Sequence, residues 1–308
     1  MRVLVTGGAG FIGRWVVREL LARGHEVVAY DNLSSGSPRN IEEFRGNRRF
    51  RFMKGDVLDA GRLRTVFRDV DACVHLAAQI NVQRSINRPE ETFRINVDGT
   101  FNVLEECRRR DVKLELVGTC LVYDASDGRP ISEEHPLRPA SPYAASKLAG
   151  EELALSYHRA YGLPVIVTRP FNTYGPFQRS DSEGGVVGIF IWRKLRGEPL
   201  LIYGDGKQTR DLLYVEDCAD FIVRGLMSRR AVGEVINAGS GKDVEINRLA
   251  LMICGKRGMI RHVPHPHPQA EIRKLVCDYS KARRLLGWEP KTNLEEGIKK
   301  TEEWMAKG

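Results

Sequence analysis

Short apolar runs alternate with amphipathic stretches along the first half of the chain. Three stretches carry apolar residues at every third or fourth position, which predicts helices at 11–23, 88–110 and 142–161. Short apolar runs predict strands at 2–6, 26–30, 50–54, 72–76, 114–118 and 164–168. Strands that alternate with helices indicate βαβ units, so we expect an α/β fold with a doubly wound parallel sheet of the Rossmann type.

The pattern changes after residue 172. Residues 178–188 are polar and contain glycine, and the short segments that follow include prolines clustered at 262–268. We therefore predict a first domain at residues 1–172 and a smaller mixed α/β substrate lobe at 173–308. Segments near 210–240 are expected to return to the main sheet.

Composition and charge narrow the class of protein only slightly. Apolar residues make up 42% and charged residues 29% of the 308 positions, which is typical of a globular protein and excludes a disordered or collagen-like chain. No apolar run approaches the roughly 18 residues of a membrane span, and the chain begins without a signal-peptide pattern. Six scattered cysteines without metal-ligand spacing predict reduced thiols, no metal and a cytoplasmic location. The net charge of +8 favours an anionic partner without identifying it.

A glycine-rich turn follows the first strand. The run T-G-G-A-G-F-I-G places Gly7, Gly10 and Gly13 where the backbone turns tightly beside a helix N-terminus that attracts phosphate. Asp31 ends the second strand, where a carboxylate hydrogen-bonds a ribose diol and repels a 2′-phosphate. Together these features predict a dinucleotide site that prefers NAD to NADP. Arg14, directly after the last glycine, either reaches a phosphate or is a solvated helix residue.

Residues after the next two strands extend this site. Asp56 follows the third strand and is placed to hold an adenine edge. Ala77 and Ala78 follow the fourth strand, where small side chains let a dinucleotide lie across the end of the sheet. The sequence thus predicts one cofactor site along the carboxyl ends of the first four strands.

A tyrosine, a lysine and a threonine form the candidate catalytic group. Tyr143 and Lys147 are four residues apart in S-P-Y-A-A-S-K, so a helix presents both on one face. A lysine ammonium beside a phenol is expected to lower the phenol pKa from about 10, and a bound nicotinamide cation lowers it further. Thr119 ends the fifth strand and offers a hydroxyl to the same site. This set predicts tyrosine as a base near neutral pH.

With these motifs the sequence resembles the extended short-chain dehydrogenase/reductase family, and more narrowly its NAD-dependent nucleotide-sugar epimerases and dehydratases. The resemblance covers nearly the whole chain. Beyond the turn and the tyrosine motif it includes D-N-L-S-S-G, H-L-A-A-Q, N-V-D-G-T, R-P-F-N-T-Y-G-P, Y-G-D-G-K-Q-T-R-D and L-G-W-E-P. It implies that Tyr143 takes a proton from a sugar hydroxyl while hydride passes from carbon 4 to NAD. Lys147 would hold the nicotinamide ribose and Thr119 the reacting oxygen.

The resemblance also implies the rest of the two binding sites. The cofactor-binding residues would be Gly7, Gly10, Phe11, Ile12, Gly13, Asp31, Asn32, Ser35, Gly36, Asp56, Val57, Leu76, Ala77, Ala78, Gln79, Asn96, Tyr143, Lys147 and Pro170. The nucleotide-sugar substrate would contact Thr119, Asn172, Val187, Tyr203, Gln208, Arg210 and Glu271. Arg210 suits a diphosphate, because a guanidinium pairs with phosphate oxygens in a fork. A permanently bound NAD is a further expectation from the family.

The residues after Thr119 separate the reactions of this family. By resemblance, 4,6-dehydratases carry an Asp and a Glu there, and decarboxylases usually carry the glutamate. This chain has Cys120 and Leu121, and a leucine cannot carry a proton. Because elimination of water needs an acid–base pair, reversible oxidation at carbon 4 with hydride return to the opposite face remains. We therefore predict a 4-epimerase, with a preference for a UDP-hexose such as UDP-glucose that rests on resemblance alone.

Two other functions stay open. Cys120 supplies an acid or base for a 4,6- or 5,6-dehydratase if its pKa is perturbed, whereas the plainer interpretation is a small buried cysteine beneath the nicotinamide. The remoter alternative is a non-catalytic dinucleotide-binding regulator. The basic charge permits it, but no RNA-binding motif supports a nucleic-acid partner.

The C-terminal lobe departs from the family pattern. The family often has Arg-x-Gly-Asp near the nucleotide, whereas Glu271 here lies in P-Q-A-E without that arginine. Either His265, His267 or Arg273 substitutes for it, or no residue does. The H-P-H spacing of the two histidines indicates a solvated loop rather than a metal site.

The two longest predicted helices also imply an assembly. In the family, the helices corresponding to 88–110 and 142–161 form a four-helix interface, so we expect a homodimer. Its apolar contacts, unless they face the sheet instead, would come from Val97, Phe101, Leu104, Leu148, Leu155 and Tyr157.

Overall fold

The computed structural model describes residues 1–126, 128–180, 185–265, 268 and 272–307. The strands are β1 (Arg2–Thr6), β2 (Glu26–Asp31), β3 (Phe50–Lys54), β4 (Ala72–His75), β5 (Lys113–Val117), β6 (Val165–Pro170), β7 (Asn172–Tyr174), β8 (Leu200–Tyr203), β9 (Thr209–Tyr214), β10 (Val235–Ala238), β11 (Asp243–Glu245) and β12 (Ile260–Val263). The helices are α1 (Phe11–Ala22), α2 (Ala60–Val66), α3 (Val82–Asn87), α4 (Pro89–Phe93), α5 (Gly99–Arg110), α6 (Pro142–Tyr161), α7 (Val186–Leu195), α8 (Val215–Met227), α9 (Ile246–Cys254), α10 (Ser280–Leu286) and α11 (Leu294–Met305).

The predicted doubly wound sheet is confirmed. Seven parallel strands lie in the order β10-β6-β5-β4-β1-β2-β3, and Val5 of the central β1 pairs with Ala29 on one side and Val74 on the other. Successive β1 residues point to opposite faces. Val3 and Val5 join one core with residues of α1 and α8, and Leu4 joins another with residues of α5 and α6. The carboxyl ends of the strands therefore form one edge between two helical layers.

The smaller elements follow β6. Strands β11, β9 and β7 form a three-stranded sheet, and β12 pairs in parallel with β8. Residues of α7, α9 and these strands share a separate apolar cluster. The chain returns to the main sheet through α8 and β10, within the 210–240 region where a return is expected. The division into domains at residue 172 stays a proposal.

The predicted 88–110 helix differs from the structure. It is interrupted by a π-helical segment at Arg94–Asp98, between α4 and α5. Asn96 in this segment bonds to a neighbouring loop and to α6, and a wide turn of this kind often marks a functional site. None of the described helices is both long and apolar enough to cross a membrane.

Candidate active site

The glycine turn leaves no room for side chains. Gly7 has φ +71°, and a Cβ there would lie 2.9 Å from the amide nitrogen of Ala77. A Cβ on Gly13 would overlap the carbonyl oxygen of Gly7. Gly10 caps the N-terminus of α1 without a side-chain hydrogen bond. Backbone amides at this helix start are thus open to an anion, as the pyrophosphate of NAD requires.

Asp31 lies at the end of β2 as predicted and is buried. Its Oδ2 accepts a hydrogen bond from Ala9 N at 3.0 Å, and its Oδ1 accepts one from Leu33 N at 2.7 Å. Burial raises the pKa of Asp31, and these two amides oppose that shift. A Cβ on Gly36 would lie 3.1 Å from the same carboxylate. The carboxylate is therefore fixed beside the glycine turn, where a ribose of the dinucleotide fits.

Asp56 and Asn32 form the far end of this predicted site. Asn32 Nδ2 donates to Asp56 Oδ2 at 2.9 Å, and Leu58 N donates to Asp56 Oδ1 at 2.9 Å. The neighbouring predicted residues differ in exposure, because Ser35 is exposed and Val57 is buried. All four lie in the loops that follow β2 and β3.

The loop after β4 is held by two neighbouring elements. Thr6 Oγ1 accepts a hydrogen bond from Ala77 N at 3.2 Å. Asn96 pairs with the backbone of Gln79, accepting from its N at 2.7 Å and donating to its O at 3.0 Å. Asn96 also donates to Ser146 Oγ on α6 at 2.9 Å. In this structure Asn96 therefore positions the predicted cofactor loop, which also contains Leu76 and Ala78.

The remaining predicted cofactor residues lie nearby in the fold. Phe11 and Ile12 pack partly buried against the core at the start of α1. Pro170 ends β6 and pairs with Ala238 of β10. Together with the turn, this arrangement fits a dinucleotide along the carboxyl edge of the sheet.

Arg14 is not the solvated helix residue that one interpretation of the sequence expects. It is 2% exposed, and its guanidinium lies 3.8 Å from the Phe177 ring centroid and 4.4 Å from that of Trp15. Its Nε donates to Asn40 O at 2.9 Å, and it forms an ion pair with Glu43. The aromatic rings and the Glu43 carboxylate stabilise the buried guanidinium of Arg14. Sequence spacing alone does not predict these contacts.

The candidate catalytic residues come together between β5 and α6. Tyr143 and Lys147 lie on one face of α6, and Tyr143 shares a side-chain hydrogen bond with Thr119. Lys147 Nζ donates to Val117 O at 2.7 Å. Tyr143 and Lys147 are each 8% exposed. The three groups stand at the carboxyl end of the sheet, where ligands of such folds bind.

The expected lowering of the phenol pKa is wrong for the protein without cofactor. Burial raises the pKa of Tyr143 to about 12, and the Thr119 hydrogen bond only partly opposes this shift. Burial lowers the pKa of Lys147 to about 8, while Glu151 raises it. Desolvation disfavours the charged form of each group and is the largest cause of both shifts.

Cys120 lies directly after Thr119 and is 2% exposed. Burial raises the pKa of this thiol to about 12, although the charge of Arg210 lowers it. It belongs to an apolar cluster that includes Phe171 and Cys277. At neutral pH the thiol is protonated, so it can donate a proton but cannot accept one. The side chain of Leu121, next in the chain, has no polar atom.

Five of the predicted substrate residues line one cavity of about 770 Å³: Asn172, Val187, Tyr203, Gln208 and Arg210. Arg210 Nη1 donates to Thr209 O at 2.7 Å and to Ile272 O at 2.8 Å. His265 also lines this cavity, with its ring 5.7 Å from that of Tyr203. Glu271 and His267 lie outside the described residues. Of the six predicted substrate residues that the structure describes, five therefore share this cavity, whereas Thr119 does not line it.

Two buried polar atoms in this cavity have no hydrogen-bond partner in the described part of the chain. They are Asn172 Nδ2 and Gln178 Oε1. Buried polar atoms are nearly always paired, so these two are suited to a ligand. Gln178 was not predicted, although it lies two residues after the matched R-P-F-N-T-Y-G-P run. Within the described ranges, no group of three His, Cys, Asp or Glu residues is arranged to hold a metal.

Comparisons with known proteins show the family to which this chain belongs. A model of the NAD dependent epimerase/dehydratase family matches residues 3–239. UDP-glucose 4-epimerase of Mycolicibacterium smegmatis is 40% identical over 310 residues, spanning 99% of this chain and 98% of that protein. Other relatives are named UDP-glucuronic acid decarboxylase and dTDP-glucose 4,6-dehydratase.

Solved structures give the same relationship. Pal from Bacillus thuringiensis superposes with a TM-score of 0.98 at 54% identity, covering 100% of this chain and 99% of that one. UDP-glucose 4-epimerase from Thermotoga maritima, crystallised with UDP-glucose, has a TM-score of 0.93 at 35% identity, covering 100% and 99%. Relatives with several reactions thus share this fold.

Proposed function

Because this chain belongs to the NAD-dependent epimerase/dehydratase family, we propose that it is a nucleotide-sugar 4-epimerase acting on a UDP-hexose. The observation that carries the proposal is the sequence after Thr119, where a protonated thiol and a leucine replace an acid–base pair. Without such a pair, proton removal at carbon 5 and loss of a hydroxyl lack their catalysts. Oxidation and reduction at carbon 4 need only the groups present.

The residues divide this reaction between them. Thr119 holds the oxygen on carbon 4, and Tyr143 takes the proton from that hydroxyl and later returns it. Lys147 places a positive charge behind Tyr143 and binds the nicotinamide ribose. NAD, the cofactor of this family, supplies a hydride acceptor and donor when bound. The glycine turn and Asp31 would hold its pyrophosphate and ribose.

The residues that line the cavity support binding of the substrate through its nucleotide diphosphate. Arg210 is anchored by two backbone carbonyls and presents a guanidinium to the cavity that phosphate oxygens match. Asn172 Nδ2 and Gln178 Oε1 supply a buried donor and acceptor in the same cavity. The preference for UDP rests on relatives such as the Thermotoga maritima enzyme, whose crystal contains UDP-glucose.

A homodimer through the α5 and α6 face is part of the proposal. Phe101 is 45% exposed on α5 and is available to a partner. Three of the other candidates for the interface are buried within the chain and pack in its own core: Leu104, Leu155 and Tyr157. Light scattering at micromolar concentration should give twice the mass of one chain. A monomeric mass would contradict the dimer.

One observation favours a dehydratase as the second candidate. The Cys120 thiol is adjacent to Thr119, interacts electrostatically with Tyr143 and Arg210, and is protonated at neutral pH. A proton donor in that position could assist loss of a sugar hydroxyl. This candidate requires Cys120, whereas the epimerase does not.

The two candidates differ in product mass. The NAD-loaded protein would be incubated with UDP-glucose and with UDP-N-acetylglucosamine, and products followed by mass spectrometry and NMR. The epimerase predicts the galacto isomer at unchanged mass, and the dehydratase predicts a product lighter by one water. Cys120→Ala should leave epimerisation nearly unchanged, with Cys277→Ala as the matched buried control. No turnover of any common nucleotide sugar would favour the non-catalytic alternative.

A further inference from the structure

A third buried polar residue continues the catalytic face of α6. Tyr143, Lys147 and Glu151 are spaced by four residues, so all three lie on one side of the helix. Glu151 is fully buried, and no part of the proposed reaction uses it. A buried carboxylate is retained at a cost, and its partners indicate what it does.

Glu151 is held by a charged network that crosses four elements. Arg169 of β6 donates to Glu151 Oε2 through Nε at 2.9 Å and through Nη2 at 2.7 Å. Arg169 Nη1 donates to Tyr123 Oη at 2.8 Å, and Tyr123 donates to Asn237 Oδ1 of β10 at 2.8 Å. Every member is buried. The network fixes the Glu151 carboxylate in one place.

The second carboxylate oxygen lies against the turn that carries Thr119. A Cβ on Gly118 would overlap Glu151 Oε1. Gly118 N in turn donates to Thr168 O at 2.6 Å. Glu151 therefore fills the space directly behind the candidate catalytic threonine and lies on the same helix face as the lysine.

We propose that Glu151 is a positioning residue that keeps Lys147 protonated and supports the Gly118–Thr119 turn. The proposal rests on the roles proposed for Tyr143 and Lys147. In this role the Glu151 carboxylate supplies a countercharge to the Lys147 ammonium, since a buried ammonium is costly unless an anion lies nearby.

His75, Cys120 and Tyr143 are uncharged at neutral pH, so they do not balance the charge of the Lys147 ammonium. From β4, His75 is a neutral ring held by Thr6 and Thr100, with its pKa lowered to about 3 by burial. From the turn after β5, the Cys120 thiol is protonated, and Tyr143 on α6 is a neutral phenol.

The charged group that acts on Lys147 is Glu151, which is itself paired with Arg169 on β6. Glu151 raises the pKa of Lys147 against the effect of burial. Removing the carboxylate thus removes the electrostatic support of the Lys147 ammonium.

The direct test is the titration of Lys147 in Glu151→Gln. In protein labelled with ¹³C-lysine, the Cε signal assigned with Lys147→Met reports protonation in the wild type, expected to change near pH 8. The substitution should lower this midpoint by about one pH unit or more, because a neighbouring opposite charge shifts a pKa by roughly 1–3. Glu151→Asp should recover part of the shift.

Two variants guard against a purely structural effect. Glu133→Gln removes a carboxylate at the far end of the network, where Glu133 accepts from Asn237 N at 2.7 Å, and should leave the midpoint unchanged. If Glu151→Gln fails to fold, the doubly neutral Glu151→Gln/Arg169→Gln protein removes the unpaired cation and should still show a lowered midpoint. An unchanged midpoint in the folded variant would overturn the proposal.

Activity gives a second and separable readout. Once a nucleotide sugar is known to react, the pH profile of kcat/KM can be measured. Its alkaline limb should move to lower pH in Glu151→Gln by the same amount as the Lys147 midpoint. If the midpoint shifts but no nucleotide sugar reacts, the proposed function fails and the role of Glu151 stands. If turnover is intact and neither midpoint nor limb moves, the role of Glu151 fails alone.

Discussion

The buried position of Lys147 predicts that losing it stabilises the protein. Its pKa falls from 10.5 to about 8 in the folded chain, which means that folding disfavours the ammonium. A difference of about 2.5 pKa units corresponds to about 3 kcal/mol in the free energy of unfolding at pH 7. Lys147→Met also loses the hydrogen bond to Val117 O, which offsets about 1 kcal/mol. The variant should therefore be more stable than the wild type by about 2 kcal/mol.

The pH dependence identifies the cause. Unfolded lysine binds its proton more tightly than Lys147 in the folded chain, so wild-type stability rises as pH increases from about 8 to 10.5. Lys147→Met lacks this titration. Its advantage should therefore be complete below about pH 8 and should disappear toward pH 10.5.

The assay is urea unfolding of cofactor-free protein at pH 7 and pH 10, because NAD would stabilise only the variants that bind it. Lys299→Met, on the exposed face of α11, is the matched control and should change stability little at either pH. The reasoning is refuted if Lys147→Met is less stable than the wild type at pH 7. It is equally refuted if an advantage at pH 7 persists unchanged at pH 10.

Three further substitutions test the glycine turn, the buried Arg14 and the substrate-binding role proposed for Arg210. Gly13→Ala should abolish NAD binding by calorimetry, because its Cβ overlaps the Gly7 carbonyl; measurable affinity in the folded variant would contradict the turn geometry. Arg14→Ala should lower stability in urea by about 2–4 kcal/mol, since it removes a side chain packed against Phe177, and a change below about 0.5 kcal/mol would argue against that packing. Arg210→Ala should raise KM for the nucleotide sugar at least tenfold with a smaller effect on kcat, and Arg210→Lys should recover part of it; an unchanged KM would remove Arg210 from the site.

The main sheet and the cofactor turn follow from local sequence. The strand at 2–6 and the helix at 142–161 have the predicted bounds, because apolar spacing and a Ser-Pro helix start are local signals. The glycine spacing similarly specifies a turn that only small residues can adopt. Five residues that the resemblance assigns to the substrate line one cavity, whereas Gln178 in the same cavity is not among the predicted residues.

Burial and long-range pairing could not be predicted in this way. Arg14 is covered by Phe177, which is 163 positions away in the chain. The ion pair of Glu151 with Arg169 depends on how α6 packs on β6. The phenol pKa was predicted with the wrong sign because its largest contribution is desolvation, a property of the whole fold. The π-helical segment likewise reflects contacts of Asn96 with other elements.

Reaction in deuterated water tests the central claim most directly, because it reports whether chemistry is confined to carbon 4. The proposed epimerase moves hydride only between carbon 4 and the cofactor, and the chain places no acid–base pair after Thr119. The galacto product formed from a UDP-hexose in D₂O should therefore carry no deuterium at any carbon and should keep the mass of the substrate. Deuterium at carbon 5 or 6, or loss of one water, would contradict the 4-epimerase account.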